Sequence, residues 1–312
     1  MPMAAIPAGE RPLLAGVELG GTKCICILGR GPGEVDAQVV IPTRQPAETL
    51  SAIRAVLEGW RFAALGIGSF GPLNLARGAI EGTPKLGWSG TDLRPLGAGF
   101  DVPVKIDTDV NGAALAEGRW GDAQGLESWT YVTVGTGVGV GSIVNRRPVC
   151  GLGHSEAGHM RVPRGEDRWP GICAFHGDCV EGLICGPAIA ARAGRSGSDV
   201  SADDPIWLGV AAVLGSLCHN LLFTTAPQRI LIGGGVMEGQ PALLDMVREA
   251  FERSVEGYAA AANLRGKVSA FVVRPRLGPS AGPMGTLALA SSGLAPFGEP
   301  FAPIGTAAEP FL

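Results

Sequence analysis

The chain has 312 residues, of which 46% are hydrophobic and 17% are charged. This composition can bury a large core, which excludes an intrinsically disordered protein, and the length indicates two domains. The 25 lysines and arginines against 29 aspartates and glutamates give a net charge of −4, so no basic surface is expected to hold a nucleic acid.

The start of the chain and its most apolar segment both favour a cytoplasmic protein. Residues 1–13 lack the positive segment, long apolar stretch and cleavage site of a secretory signal. Residues 208–226 are apolar but contain Ser216, His219 and Asn220, so a buried core helix is predicted rather than a membrane span. We therefore expect neither a membrane nor a nucleic acid as a partner.

The first predicted elements form a strand-rich unit that opens with a hairpin. Residues 13–19 and 23–28 are short apolar runs separated by Gly20-Gly21-Thr22, which is typical of two antiparallel strands joined by a tight turn. Hydrophobic periodicity then predicts a strand at 34–41, a helix at 46–60, strands at 63–69 and 103–106, and a helix at 109–120.

A second hairpin of the same kind is predicted further along the chain. Residues 129–134 and 138–144 resemble strands and flank Gly135-Thr136-Gly137. Two units that each begin with strand, glycine turn and strand indicate an internally duplicated α/β architecture. Helices are then predicted at 180–193, 206–225, 241–258 and 283–291, and strands at 229–232 and 268–273.

The duplication predicts two domains. We place the first at residues 1–110 and the second at residues 111–289, because the helix that follows the last strand of the first unit leads across to the second. The tail after Gly293 is rich in Pro and Gly and is expected to be extended and bound to the surface, so that a C-terminal segment of about 290–312 can pack back on the first domain.

The glycine turns of the two hairpins suit phosphate binding. Glycine lacks a Cβ and tolerates positive φ, so backbone N–H groups can converge on an anion. Many hairpins use glycine for geometry alone, and that alternative stays open for each turn. Rossmann and P-loop sites are disfavoured, because neither turn leads into a helix and the chain contains no GxxxxGK[ST] motif.

The paired hairpins favour the actin-like phosphotransferases, in which each of two lobes sends one hairpin toward the nucleotide phosphates in a cleft. A further run of glycines lies between a predicted strand and helix, where it can let an adenosine approach the backbone, although a simple helix-entry turn explains it too. The candidate nucleotide-binding residues are Gly20, Gly21, Thr22 and Lys23, then Gly135, Thr136, Gly137 and Gly139, then Gly233, Gly234 and Gly235.

The candidate catalytic base is a carboxylate at a strand-to-helix junction. Phosphoryl transfer to a hydroxyl needs the attacking hydroxyl aligned with the phosphoryl group, a divalent cation, and a group that takes the hydroxyl proton. Asp109 follows a predicted buried strand and precedes a helix, whose N-terminus favours the ionised carboxylate. An ordinary N-cap aspartate is the alternative. Asp107, two residues earlier, is interpreted as structural.

A cluster of histidines and cysteines lies between residues 154 and 179. His159, Cys173, His176 and Cys179 offer two imidazoles and two thiolates, which match tetrahedral Zn²⁺ with no open position for water. Such a zinc ion would be structural, because the loop before Cys179 has little else to fold on. Scattered polar loop residues are the alternative.

Two glutamates beside this cluster are the candidate sugar ligands. Glu156 is three residues from His159, so a helical turn would place both on one face. Glu181 follows Cys179 closely and can join them. Vicinal hydroxyls need paired acceptors, which carboxylates supply, and surface glutamates are the alternative interpretation. Together, Glu156, His159 and Glu181 form the candidate substrate site.

The motifs taken together resemble the ROK family of sugar kinases and sugar-responsive repressors, and most closely its bacterial fructokinase branch. The resemblance covers residues 14–289. It depends on eight segments in order: GVELGGTK (16–23), GIGSFGP (66–72), TPKLGW (83–88), DTDVN (107–111), TVGTGVG (133–139), EAGHMRVP (156–163), CAFHGDC (173–179) and IGGGV (232–236).

The resemblance implies a two-lobed actin-like, ribonuclease H-like fold and an ATP-dependent hexose kinase that forms a homodimer. It also implies that Asp109 is the base, that the glycine segments hold Mg·ATP, and that the four cluster residues bind zinc. Family glucokinases carry Asn before the catalytic Asp and three cysteines at the metal. This chain has Thr108 and a Cys/His/Cys set there, as fructokinase-like members do, which favours fructose.

Three alternatives remain at this stage. The first is a glucokinase, a mannokinase or another ROK hexose kinase, since the spacing of the motifs does not identify the preferred hexose. A sugar-responsive repressor would need an N-terminal helix-turn-helix domain, and the first hairpin begins about a dozen residues into the chain. A catalytically silent sugar-binding protein is disfavoured by Asp109 and the two glycine turns.

Overall fold

The computed structural model of the protein describes residues 11–294, which divide into two compact units. The first unit comprises residues 11–120 and 280–294, and the second comprises residues 121–279. The boundaries expected from the sequence, near 110 and 290, differ from these positions. The difference arises because the helix that begins at Asp109 packs against the helix that begins at Ala281 within the first unit.

The first unit combines seven strands with three α-helices, as expected for a mixed α/β fold. The strands are β1 (Leu14–Leu19), β2 (Lys23–Gly31), β3 (Glu34–Pro42), β4 (Ala64–Ser69), β5 (Leu73–Asn74), β6 (Ala79–Ile80) and β7 (Val104–Thr108). The helices are α1 (Pro46–Glu58) and α2 (Asp109–Trp120), and α9 (Ala281–Ser292) returns from the end of the described chain.

The second unit also opens with three consecutive strands. Its strands are β8 (Trp129–Val134), β9 (Val138–Val144), β10 (Arg147–Pro148), β11 (Ile230–Gly233) and β12 (Val272–Val273). Its helices are α3 (Val180–Ile184), α4 (Gly186–Ala193), α5 (Ile206–Thr225), α6 (Gly235–Gly239), α7 (Leu243–Val255) and α8 (Val268–Phe271).

The two main sheets have the same topology. In the first unit the order is β3-β2-β1-β4-β7, with β1 antiparallel to β2 and parallel to β4. In the second unit the order is β10-β9-β8-β11-β12, with β8 antiparallel to β9 and parallel to β11. The duplication expected from the two hairpins is therefore present, and the mixed α/β fold class is confirmed.

Two elements of the second unit differ from the expected ones. The helix expected over 180–193 is split between α3 and α4, because Pro187 has no N–H to continue the hydrogen-bond ladder. The strand expected over 268–273 is correct only for Val272–Val273. Residues 268–271 form a helical turn in which Ala270 and Phe271 donate to the carbonyl of Lys267, at 2.9 and 3.2 Å.

Helix α5 is the one helix within residues 11–294 that is long and apolar enough to cross a membrane. Half of its residues are buried, among them Leu214, Leu217 and Cys218 in the core of the second unit. Burial against other elements of the same unit is what the sequence predicted for this segment, because its polar residues interrupt the apolar run.

Helix α9 approaches the first sheet at glycines. A Cβ added to Gly66 on β4 would lie 1.9 Å from the carbonyl oxygen of Thr286 and 2.6 Å from the nitrogen of Ala290. A Cβ added to Gly16 on β1 would lie 1.9 Å from Thr286 Oγ1. The helix backbone therefore rests directly on the sheet, where no side chain larger than hydrogen fits.

Replacing Gly66 with alanine is expected to destabilise the protein by at least about 2 kcal/mol, because the helix must move away from the sheet. Gly151 is a matched control, since a Cβ there would meet no heavy atom of residues 11–294 within 4 Å. The free energy of unfolding of Gly151→Ala should stay within about 0.5 kcal/mol of the wild type. Denaturant titration of both variants checks this, and equal stabilities would contradict the close packing.

Candidate active site

The first hairpin turn is fixed by hydrogen bonds behind it and exposed at its tip. The Gly20 N–H donates to the Lys23 carbonyl at 3.0 Å. The Thr43 hydroxyl donates to the Gly20 carbonyl at 2.7 Å, and the Thr43 N–H donates to the Thr22 carbonyl at 2.9 Å. Gly21, Thr22 and Lys23 are exposed, so a rigid turn presents its tip to the surroundings.

The second hairpin turn is fixed in the same way. The Gly135 N–H donates to the Gly137 carbonyl at 2.9 Å, and the Gly186 N–H at the start of α4 donates to the Gly135 carbonyl at 2.7 Å. Glu181 Oε2 accepts from the Val138 N–H at 3.0 Å. A Cβ at Gly137 would lie 2.6 Å from that same oxygen, so glycine lets the carboxylate approach the turn.

The third glycine segment is the connection from β11 to α6. Gly234 has φ of +95°, and a Cβ there would lie 2.5 Å from the Val134 carbonyl oxygen. Glycine is therefore required for both conformation and space. This geometry accounts for Gly234 as a turn into the helix, and adenosine binding by residues 233–235 stays a prediction.

Asp109 is the first residue of α2, directly after β7. The hydroxyl of Thr108 accepts from the Asn111 N–H at 3.1 Å, so the helix has a capping side chain other than Asp109. Asp107 Oδ1 accepts from the Thr108 N–H at 2.7 Å and from Asn111 Nδ2 at 2.8 Å. These bonds agree with the interpretation of Asp107 as structural, and Asp109 itself is half-buried.

Glu18 is a second carboxylate of the first unit, and the sequence interpretation assigned it no role. It lies on β1 just before the glycine turn, where a Cβ at Gly282 would be 2.0 Å from its Oε1. Burial raises the pKa of Glu18 above its usual range, an effect that the nearby Lys23 ammonium partly offsets. Its position inside the GVELGGTK motif is the signal that could have identified it.

The structure brings His159, Cys173, His176 and Cys179 together, with their ligand atoms all within 4.8 Å of one another. Cys173 Sγ lies 3.6 Å from Nδ1 of both histidines, and Cys179 Sγ lies 3.5 Å from His159 Nδ1. A tetrahedral zinc ion with bonds of about 2.3 Å to sulfur and about 2.0 Å to nitrogen separates such atoms by about 3.6 Å. The donor set therefore fits zinc.

The loop that carries the cluster is held by two arginines and a tight turn. Arg161 and Arg164 donate to the two carboxylate oxygens of Asp178, at 2.8 and 3.0 Å. The N–H of Cys173 donates to the Gly177 carbonyl at 3.1 Å. Burial raises the pKa of the Cys179 thiol to about 11, with neighbouring Cys173 adding to the effect. A cation is therefore needed to hold this side chain as a thiolate.

His159 joins the metal cluster to the candidate sugar ligands. Its Nδ1 faces the sulfurs, and its Nε2 lies 4.0 Å from Glu156 Oε2 and 3.9 Å from Glu181 Oε1. His154, which the sequence interpretation left unassigned, lies on the other side of Glu156, with its Nε2 3.6 Å from Oε1. Imidazoles and carboxylates thus alternate along one row.

Burial raises the pKa of the Glu156 carboxyl above its usual range, and the flanking imidazoles of His154 and His159 oppose that effect. The nearby carboxylate of Glu181 raises it further. The Glu156 side chain is exposed, so its carboxylate oxygens can accept hydrogen bonds from the hydroxyl groups of a polyol.

Comparison with known proteins identifies similar sequences and structures that span most of the chain. The chain is 38% identical over 290 residues to the fructokinase of Pediococcus pentosaceus, covering 90% of this chain and 99% of that one. It superposes with a TM-score of 0.71 on the ROK hexokinase of Thermus thermophilus, at 27% identity. It superposes equally well, at 26% identity, on a ROK glucokinase of Streptomyces griseus solved with glucose and AMPPNP. Each superposition covers 90% of this chain and 99% of the other chain.

The family whose sequence profile matches is described as the ROK family, and the match spans residues 14–292. This range contains both hairpins, Asp109, the Cys/His cluster and helix α9. The chain belongs to the ROK family.

Proposed function

We propose that the protein transfers the terminal phosphoryl group of ATP to a hydroxyl of a hexose, with fructose as its preferred substrate and fructose 6-phosphate as the product. The observation that supports this most directly is the 38% identity to a fructokinase over nearly the whole chain. The retained site residues add to it, because each chemical role in phosphoryl transfer has a candidate side chain or backbone segment.

Asp109 is proposed as the general base. Its carboxylate takes the proton of the attacking hydroxyl as the bond to phosphorus forms and the bond to the ADP oxygen breaks. The helix N-terminus at which it lies favours the ionised form that can accept a proton. Thr108 supports this assignment by capping the helix with its own hydroxyl.

The glycine segments are proposed to hold Mg·ATP. Gly20, Gly21, Thr22 and Lys23 form one exposed turn, and Thr136, Gly137 and Gly139 belong to the other hairpin. Their backbone N–H groups can meet phosphate oxygens without a Cβ in the way. When bound, Mg²⁺ neutralises phosphate charge, and residues 233–235 would lie beside the adenosine.

The sugar is proposed to bind to Glu156, His159 and Glu181. A zinc ion held by His159, Cys173, His176 and Cys179 would fix the His159 ring, and the two carboxylates near Nε2 would set its tautomer. Glu181 also accepts from the second glycine turn, so one side chain is shared by the candidate sugar and phosphate sites.

Fructose rather than glucose is favoured by the residues at two positions. Thr108 precedes the candidate base, and the metal set beyond His159 is Cys173, His176 and Cys179, the pattern of fructokinase-like members of the family. The higher identity to a fructokinase than to a glucokinase, 38% against 26%, points the same way.

An ADP-release assay with fructose, mannose, glucose and N-acetylglucosamine tests the proposal. We expect kcat/KM to be highest for fructose, by at least about tenfold, because hydroxyls that lack a partner cost binding energy in a site built for them. A higher value for another hexose would reassign the substrate, and sugar binding without turnover would indicate a silent binding protein. The homodimer and the cytoplasmic location stay predictions, and light scattering tests the former.

A further inference from the structure

The TPKLGW motif forms a loop of the first unit that is anchored at its base. The side chain of Trp88 is 0% exposed, and its indole N–H donates to the Arg44 carbonyl at 3.0 Å. Its ring meets Phe70 edge-on, with the centroids 5.3 Å apart. The Ile80 N–H donates to the Thr91 carbonyl at 2.9 Å and closes the loop. The position of the loop is therefore set by the core.

The anchored loop carries Lys85 to the first glycine turn. The Lys85 ammonium donates to the Gly21 carbonyl, and the Lys85 N–H lies 3.3 Å from Thr83 Oγ1. Gly87 turns the chain with φ of +80°, and neighbouring Leu86 is 88% exposed. The loop therefore holds Lys85 over the tip of the turn. An ordinary surface lysine, in contrast, is not held in one position by the structure around it.

The surroundings of this ammonium suit an anion. Lys23 adds a second positive charge at the turn. The Glu18 carboxylate interacts with this second ammonium, that of Lys23. A Cβ added to Gly21 would meet no heavy atom of residues 11–294 within 4 Å, so there is room over the tip. A charged phosphate oxygen is a stronger acceptor for an ammonium than a neutral carbonyl. Exchange of the Gly21 carbonyl for a phosphate oxygen is therefore favourable.

We propose that Lys85 is a further catalytic residue, whose ammonium binds the terminal phosphoryl group of the nucleotide at the first glycine turn. There it stabilises the charge on the phosphoryl oxygens during transfer. This inference depends on the proposed kinase function. The competing role is that of a brace, in which Lys85 only holds the turn in shape.

Nucleotide binding to the full-length protein distinguishes the two roles. Dissociation constants are measured by calorimetry for Mg·ADP and for Mg·AMPPNP, which differ in the terminal phosphoryl group. In Lys85→Met, we expect binding of AMPPNP to weaken about tenfold to thirtyfold, because a hydrogen bond to a charged group is lost. Binding of ADP should change less than about twofold. In Lys85→Arg, which keeps the charge, most of the AMPPNP affinity should return.

Lys267→Met is the matched control, since Lys267 is exposed in the second unit, and it should leave both constants unchanged. Equal weakening of ADP and AMPPNP in Lys85→Met would overturn the proposal in favour of the brace. Unchanged nucleotide binding, with or without a higher KM for the hexose, would also overturn it. Failure of the wild type to bind either nucleotide would instead reject the kinase function, and the inference with it.

Discussion

Replacing Asp109 with asparagine is expected to lower kcat about a thousandfold, because an amide cannot accept the proton of the attacking hydroxyl. The substitution keeps the size of the side chain, and the amide oxygen can still accept from the Val110 N–H, which bonds Asp109 Oδ1 at 2.8 Å. The dissociation constant of Mg·ADP should therefore change less than about twofold. Steady-state kinetics with fructose and calorimetry with ADP provide the two measurements.

Asp107→Asn is the control for loss of a nearby negative charge. The amide oxygen can still accept from the Asn111 side chain, so the start of α2 should keep its structure. We expect kcat to fall by less than about tenfold in this variant, since it removes a charge but no proton acceptor. A similar loss in both variants, or more than a tenth of wild-type kcat in Asp109→Asn, would contradict the assigned role of Asp109.

Local signals in the sequence were enough to locate most elements that carry the site. The strands β8 and β9 have the predicted limits, because a glycine turn between two β-branched runs specifies a hairpin within a few residues. Helix α2 also has the predicted limits, since a polar N-terminal segment and a helical apolar pattern are both local. These are the elements that position Asp109 and the second turn.

Packing between distant segments could not be predicted in this way. Helix α9 lies in the first unit although every described residue of the second unit precedes it in the chain. It fits there because Gly285 meets Gly112 of α2, where a Cβ on Gly285 would lie 2.4 Å from the Gly112 carbonyl carbon. The sequence shows that these residues are glycines, but it does not show which glycine lies opposite which.

The candidate site shows the same contrast between features that local sequence signals predict and contacts that depend on packing between distant segments. The spacing of cysteines and histidines predicted a cluster that the structure brings together, because the close spacing of Cys173, His176 and Cys179 limits how far apart they can lie. The contact of Glu181 with the Val138 N–H depends on how helix α3 meets the second hairpin, 43 residues earlier in the chain, and the order of the residues contains no signal for it.

Replacing Cys179 with serine is expected to remove the zinc and to lower Tm by about 10 °C. A serine hydroxyl is a poor zinc ligand, and structural zinc contributes folding free energy directly. A loss of a few kcal/mol corresponds to a shift of this size in a protein of this length. Fructose KM should rise as well, because His159 loses the metal that fixes its ring. Elemental analysis, thermal denaturation and kinetics measure the three effects.

Cys150→Ser separates loss of the metal from loss of a thiol. Cys150 is exposed and lies outside the cluster, so this variant should retain about one zinc per chain and the wild-type Tm. Treating the wild type with a chelator should reproduce the Cys179→Ser phenotype, and adding zinc back should restore Tm and KM. A purified wild type that contains no zinc yet has the same Tm before and after zinc is added would show that the four side chains form no structural metal site, since a bound ion stabilises only the folded chain.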